Sequence, residues 1–165
     1  MSTASPDISP VIIPLDVSSR GAALRFVDAL GGLASMFKVG NQLFTAEGPE
    51  LVREIVDRGE GTFLDLKLHD IPNTVSRAAI EAAKLGVSMM TIHASGGPEM
   101  IGLTMRALAE EFGEQRPLVV AITLLTSINP GILSDVGVES PVDNQVLRLA
   151  KMACDNGADG CVCSP

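Results

Sequence analysis

Asp65 and Lys67 stand two residues apart in the run Phe63-Leu-Asp-Leu-Lys-Leu-His-Asp70. Side chains of an extended segment alternate between faces, so Phe63, Asp65 and Lys67 share one face and Leu64, Leu66 and Leu68 the other. The leucine face suits helix packing. The charged face does not serve stability, because taking ions out of water costs on the order of several kcal/mol each before pairing compensates. Charges also end the neighbouring apolar runs: Asp16 follows Val11-Ile-Ile-Pro-Leu15, Lys38 lies in Met36-Phe-Lys-Val-Gly40, and Asp70 closes the segment of Asp65 and Lys67. Carboxylates and ammonium groups alternating along one rim can bind a polar substrate, stabilise a developing negative charge and deliver a proton to it. His93 ends the run Met89-Met-Thr-Ile-His93. With no Ser or Cys nucleophile beside it, it makes no triad and reads as a structural histidine.

The runs that carry these charges read as strands, at 11–15, 36–40, 62–68 and 89–93, and two more follow at 118–123 and 160–163. Amphipathic stretches of helical period lie between them, at 21–30, 48–57, 75–85, 98–112 and 142–156. Strand starts at 11, 36, 62, 89 and 118 are separated by 25, 26, 27 and 29 residues, about the length of one βα unit. A parallel sheet is expected. Ser18-Ser19 can cap the first helix, Pro49 and Pro72 suit first helical turns, and Gly59, Gly86, Gly113 and Gly157 stand where left-handed helix stops belong. The stretch 126–141, rich in Gly, Pro, Ser and Asn, reads as a long ordered loop of the kind that carries function.

Six strands at this period fit either an open doubly wound sheet or six-eighths of a barrel. No Gly-x-Gly-x-x-Gly follows the first strand, so a dinucleotide-binding open sheet has no support. The sequence stops at Ser164-Pro165, directly after a strand, leaving an apolar edge, whereas eight units come to roughly 220 residues. The expectation is an α/β chain: a TIM (β/α)8 barrel of which residues 1–165 supply about the first six strands, as a single incomplete domain. Barrel enzymes keep their active sites at the C-terminal ends of the strands, which is where these charges fall. A barrel short of its last quarter is expected to aggregate or stay largely unfolded when expressed alone.

Composition narrows the function classes. Twelve basic against 20 acidic side chains give a formal charge of −8, with no Trp, no Tyr and five Phe. Neither the basic stripe nor the aromatic platforms of a nucleic-acid groove are present, so polynucleotide binding is not expected. No apolar run approaches a membrane span, and Met1-Ser-Thr-Ala-Ser-Pro-Asp7 lacks the profile of a signal peptide. A soluble, cytoplasmic protein is expected. Cys154, Cys161 and Cys163 are odd in number and flanked by apolar residues, which suggests buried, reduced thiols rather than a disulfide framework. Two thiolates at Cys161-x-Cys163 without a second ligand pair fall short of a zinc site.

The run Phe63-Leu-Asp-Leu-Lys-Leu-His-Asp-Ile-Pro-Asn-Thr-Val75 closely resembles the signature of the orotidine 5'-phosphate decarboxylase family. Leu15-Asp16, Phe37-Lys-Val-Gly40 with Leu43-Phe44, Thr91-Ile-His-Ala-Ser-Gly-Gly97, Thr123-Leu-Leu-Thr-Ser127 and Cys161-Val-Cys-Ser164 fall in the family's order and at its usual distances. The likeness covers nearly the whole chain. It implies decarboxylation of orotidine monophosphate to uridine monophosphate and CO2 in de novo pyrimidine biosynthesis, with no metal and no other cofactor.

Residue by residue, the resemblance makes Lys67 the proton donor, flanked by Asp65 and by Asp70 from the partner subunit of a homodimer with shared active sites. Lys38 completes the Lys-Asp-Lys-Asp array. Asp16 and Lys38 would hydrogen-bond the ribose hydroxyls, Thr74 would reach across the dimer with Asp70, Ile71 would line the pocket, and Thr126 would border the pyrimidine. The family grips the substrate phosphate with loops after its seventh and eighth strands, and the sequence ends before either. Remote binding energy normally lowers the chemical barrier, so the chain as written is expected to be a poor catalyst or none. Two alternatives stand beside this reading. One is a magnesium-dependent sugar-phosphate decarboxylase or synthase of the same superfamily, in which Asp-x-Lys-x-x-Asp also occurs but against which Asp70-Ile-Pro-Asn-Thr74 speaks. The other is a catalytically silent remnant.

Overall fold

A computed structural model describes residues 11–164. Six strands run in the order β1 (Ile12–Pro14), β2 (Met36–Gly40), β3 (Thr62–Leu68), β4 (Met89–His93), β5 (Leu118–Ile122) and β6 (Gly160–Val162). The pairings of β1 with β2, β2 with β3, β4 with β5 and β5 with β6 are parallel. Doubly wound sheets shuffle strand order about a switch point; here spatial order follows sequence order, which is the connectivity of a β/α barrel. The helices are α1 (Arg20–Leu30), α2 (Asn41–Asp57), α3 (Pro72–Ala83), α4 (Gly97–Phe112), α5 (Pro130–Asp135) and α6 (Val142–Asp155).

The chain divides into two compact units, one running to Asp65 and including Leu85–Ser88, the other comprising Leu66–Lys84 and Met89 onward. In the first, Leu15, Val27, Phe37, Val39, Leu43, Leu51, Ile55 and Leu64 form the core, each at most 2% exposed. Ser19 caps α1, its hydroxyl accepting from Ala22 N–H. Arg20 pairs with Glu54, and Arg58 with Asp28 and Glu54, tying α1 to α2 outside that core. At Gly61 a Cβ would lie 2.4 Å from the Ser35 carbonyl oxygen, so only glycine lets the chain enter β3 here. The α2 helix begins seven residues before the expected position 48 and kinks at Gly48, with φ 70° and ψ −170°. Pro49 does open a helical turn, but the turn of a second segment, 49–57, that continues from 41–47.

In the second unit α3 lies against α4, with Val75, Ala79, Met100, Ile101, Thr104 and Leu108 buried. Pro72 occupies the first turn of α3. The expected left-handed stops are present at Gly59, Gly86, Gly113 and Gly157, with φ of 82°, 83°, 56° and 95°. The stretch 126–141 is not wholly a loop. It contains α5, whose N-cap Asn129 accepts from Ile132 N–H at 3.0 Å.

The expectation of buried thiols is corrected: Cys154, Cys161 and Cys163 are free but exposed. The buried stripe of α6 runs Gln145, Leu149, Ala153, and Cys154 steps off it. Val162 is also 39% exposed, so β6 is open on both faces among the described residues. Its surroundings push the Cys161 thiol above its ordinary range, through burial first and then the neighbouring Cys163 and Cys154. It is a poor nucleophile at neutral pH.

The start of β6 is fixed by a bidentate clamp. Arg116 Nη1 and Nη2 donate to Asp159 Oδ2 and Oδ1 at 2.6 and 2.8 Å, and Val119 N–H donates to Oδ2 at 2.8 Å. The Arg116 hydrogen bonds hold the Asp159 carboxyl below its ordinary 3.8, against the opposing effect of burial. A carboxyl that titrates lower folded than unfolded adds stability above the unfolded value and loses it as pH falls through the folded one. Asp159→Asn is therefore expected to lower stability at pH 7 by about 1 kcal/mol after allowing for solvent screening. In urea titrations the gap between variant and parent should close below about pH 4; a gap of the same size at pH 3 would contradict the clamp.

Candidate active site

Register places the first group of charges. Lys38 stands opposite Pro14 on β1 and Phe63 on β3, and Gly40 opposite Asp65. Leu15 N–H donates to the Lys38 carbonyl at 2.9 Å, which carries the chain past β1 and sets Asp16 at the rim. Lys38 Nζ then lies 3.5 Å from Asp16 Oδ1 and 3.6 Å from Asp65 Oδ2. The three side chains are graded from core to surface: Asp65 is 10% exposed, Lys38 24% and Asp16 72%. At these distances the ammonium is attracted to both carboxylates without a tight hydrogen bond to either. Such a cluster can accept from hydroxyl groups through its carboxylates and donate through its ammonium.

Lys67 follows Asp65 by two residues on β3. It has φ 53°, the one positive φ at a non-glycine residue among those described. That conformation costs about 1–2 kcal/mol for an L-residue with a Cβ and persists where the surroundings over-determine it. The Lys67 N–H donates to Thr91 Oγ1 at 2.8 Å, and Thr91 is completely buried on β4. The simple two-residue alternation expected along β3 therefore stops at Lys67. Just beyond, the His69 ring lies 5.1 Å from that of His93, tilted by 32°.

Asp70, Ile71 and Thr74 are all exposed around the start of α3, with Ile71 at 67%. Asp70 Oδ1 accepts from Ile71 N–H at 2.7 Å, fixing the turn that leads into Pro72. Thr126 is exposed in the loop after β5 and lines an open groove of about 480 Å3 with Leu124, Ile128, Val142 and Val146. Asp16, Lys38 and Asp65 are thus brought together, as are Asp70, Ile71 and Thr74. Sequence reasoning missed Thr91 as the partner of Lys67. A buried hydroxyl on the strand after a charged strand end is its only signal, and buried threonines are common for packing reasons alone. Among the described residues no group of three or more His, Cys, Asp or Glu side chains could hold a metal ion, and no helix is long and apolar enough to cross a membrane.

A protein of Geobacter sulfurreducens named Orotidine 5'-phosphate decarboxylase is 50% identical over 156 residues, covering 94% of this chain. Its namesake from Pseudoalteromonas translucida is 48% identical over 154 residues, or 93% of this chain. The chain spans 65% of the length of each of these curated relatives. The crystal structure of Orotidine 5'-phosphate decarboxylase from Lactobacillus acidophilus superposes with a TM-score of 0.88 at 39% identity, covering 95% of this chain and 72% of that one. These likenesses agree with the barrel connectivity of the strands. The family model described as Orotidine 5'-phosphate decarboxylase / HUMPS family matches residues 9–165, and the chain belongs to that family.

Proposed function

We propose that this protein decarboxylates orotidine 5'-phosphate to uridine monophosphate and CO2, without a cofactor. The observation that carries the proposal is the Asp16–Lys38–Asp65 charge cluster, followed on the same strand by Lys67 in a left-handed conformation. The relatives' printed names support the same reading.

In this reaction the bond between the pyrimidine ring and its carboxylate breaks, CO2 departs, and the electron pair stays on the ring carbon in the plane of the ring. No adjacent carbonyl accepts that pair. A fixed ammonium answers the problem twice, by stabilising the negative charge as it develops and by transferring a proton to the carbon. Lys67 takes that role. Asp65 and the partner subunit's Asp70 flank it as carboxylates, and Lys38 completes the alternating array. Asp16 and Lys38 bind the ribose hydroxyls, Ile71 lines the pocket, Thr126 borders the pyrimidine, and Asp70 and Thr74 serve the site of a second subunit in a homodimer. The exposure of Ile71 beside Asp70 favours a partner surface there. Three free cysteines fit a reducing compartment, and we place the protein in the cytoplasm.

The test is an assay of the whole gene product with orotidine 5'-phosphate, following CO2 release, with and without excess chelator. Turnover is expected, and chelation should change it less than about twofold, since the proton donor and the charge stabiliser are the same side chain. Chelator-sensitive turnover of a sugar phosphate instead would replace this reading with the magnesium-dependent one. No turnover of either substrate would leave the silent remnant.

A further inference from the structure

We infer that Thr91 is a positioning residue for the reaction, holding the backbone of Lys67 in its left-handed conformation and thereby aiming the proton donor. The inference rests on the proposed role of Lys67. Lys67 has φ 53° in a strand whose other residues have no such requirement. Lysine has a Cβ and lacks the short polar side chain with which Asn or Asp stabilises itself in that region. Something outside the residue must offset the strain. The Thr91 hydroxyl is placed to do so, accepting the Lys67 N–H at 2.8 Å from a side chain with no exposure to solvent.

The bond is partly buried and its acceptor wholly so, and an N–H that loses its partner where water reaches poorly is penalised. Thr91 sits on β4, between Met90 and Ile92, both at most 1% exposed. The branched side chain is confined to few rotamers there, so the oxygen has little freedom to leave. A backbone N–H anchored to a fixed oxygen restrains the torsion at Lys67. A residue that flips from φ 53° to the extended region redirects its side chain, and displacement of a reacting group by about 1 Å can cost on the order of a hundredfold in rate. Thr91 touches no reacting atom in this scheme; its effect passes through the peptide.

The test compares Thr91→Val, which keeps the shape and removes the acceptor, with Thr91→Ser, which keeps the acceptor, in the whole gene product. Thr91→Val is expected to lower kcat about ten- to a hundredfold with KM within about threefold of the parent. Thr91→Ser should retain most of kcat. The amide resonance of Lys67 and its coupling to Hα, read by NMR, should change in Thr91→Val and not in Thr91→Ser. A Thr91→Val protein with parental kcat overturns the inference, as does one in which the Lys67 coupling is unchanged. Equal losses in both variants, with a lowered melting temperature, assign Thr91 to packing and overturn it too. If Lys67→Ala keeps its activity, the proposed proton donor fails, while the NMR arm still reports whether Thr91 holds the Lys67 backbone.

Discussion

Lys67→Ala is expected to abolish turnover of orotidine 5'-phosphate in the whole protein while leaving its fold and its nucleotide affinity largely intact. Two contributions vanish together, the cation beside the developing carbanion and the proton it receives. A general acid alone is worth about 10²–10⁴-fold, and loss of an electrostatic stabiliser adds to that. Retention of more than about a hundredth of the parent rate would rule out Lys67 as proton donor. The fold should tolerate the change because Lys67 is half-buried, not packed in the core, and its N–H bond to Thr91 is made by the backbone. Lys67→Arg separates the two contributions. It keeps the positive charge, but a guanidinium does not release a proton in proteins, so turnover should stay low even where binding is preserved.

The parts of this molecule that were legible in sequence are those fixed by local pattern. β2, β3 and β4 occupy the expected residues because each is an apolar run bounded by turn or helix signals. The repeat of about 27 residues alone fits two architectures; the absence of Gly-x-Gly-x-x-Gly after the first strand already favoured the barrel, and the spatial order of the strands agrees with it. Helical segment 41–47 was hidden because it follows β2 without a break and buries one leucine, Leu43, so no periodicity develops. α5 was hidden by its six-residue length, although Asn129-Pro130 is a readable start signal.

The charges divide in the same way. That Asp16, Lys38 and Asp65 meet was legible, because consecutive parallel strands bring neighbouring side chains of one layer together, and Asp16 just past β1, Lys38 within β2 and Asp65 within β3 fall in such a layer. The left-handed turn at Lys67 was not. Sequence signals for positive φ rely on Gly, Asn or Asp, whereas here the residue is a lysine whose N–H meets a hydroxyl 24 residues away. A strained residue where local preference and structure disagree is what a functional position looks like. The exposed cysteines misled for the opposite reason: apolar neighbours in sequence said nothing of which side of α6 faces the core, nor that β6 is open on both faces among the described residues.

Asp70 offers the sharpest test of assembly. It is exposed, its Oδ1 is engaged by Ile71 N–H of its own chain, and beside it Ile71 exposes 67% of its surface. An apolar side chain of that size next to a carboxylate is suited to meeting a second copy, and the proposed function gives Asp70 to the partner's site. Asp70→Ala and Lys67→Ala homodimers should then both be inactive. Co-expressed in equal amounts, they form mixed dimers in which one site carries both lesions and the other carries neither. With random pairing about half the dimers are mixed and one site in each is intact, so about a quarter of the parent activity should return. Activity no higher than the sum of the two separate variants would mean that Asp70 serves the site of its own chain. Recovery also fixes direction: only a site assembled from Lys67 of one protomer and Asp70 of its partner can be rebuilt from two subunits that are each defective.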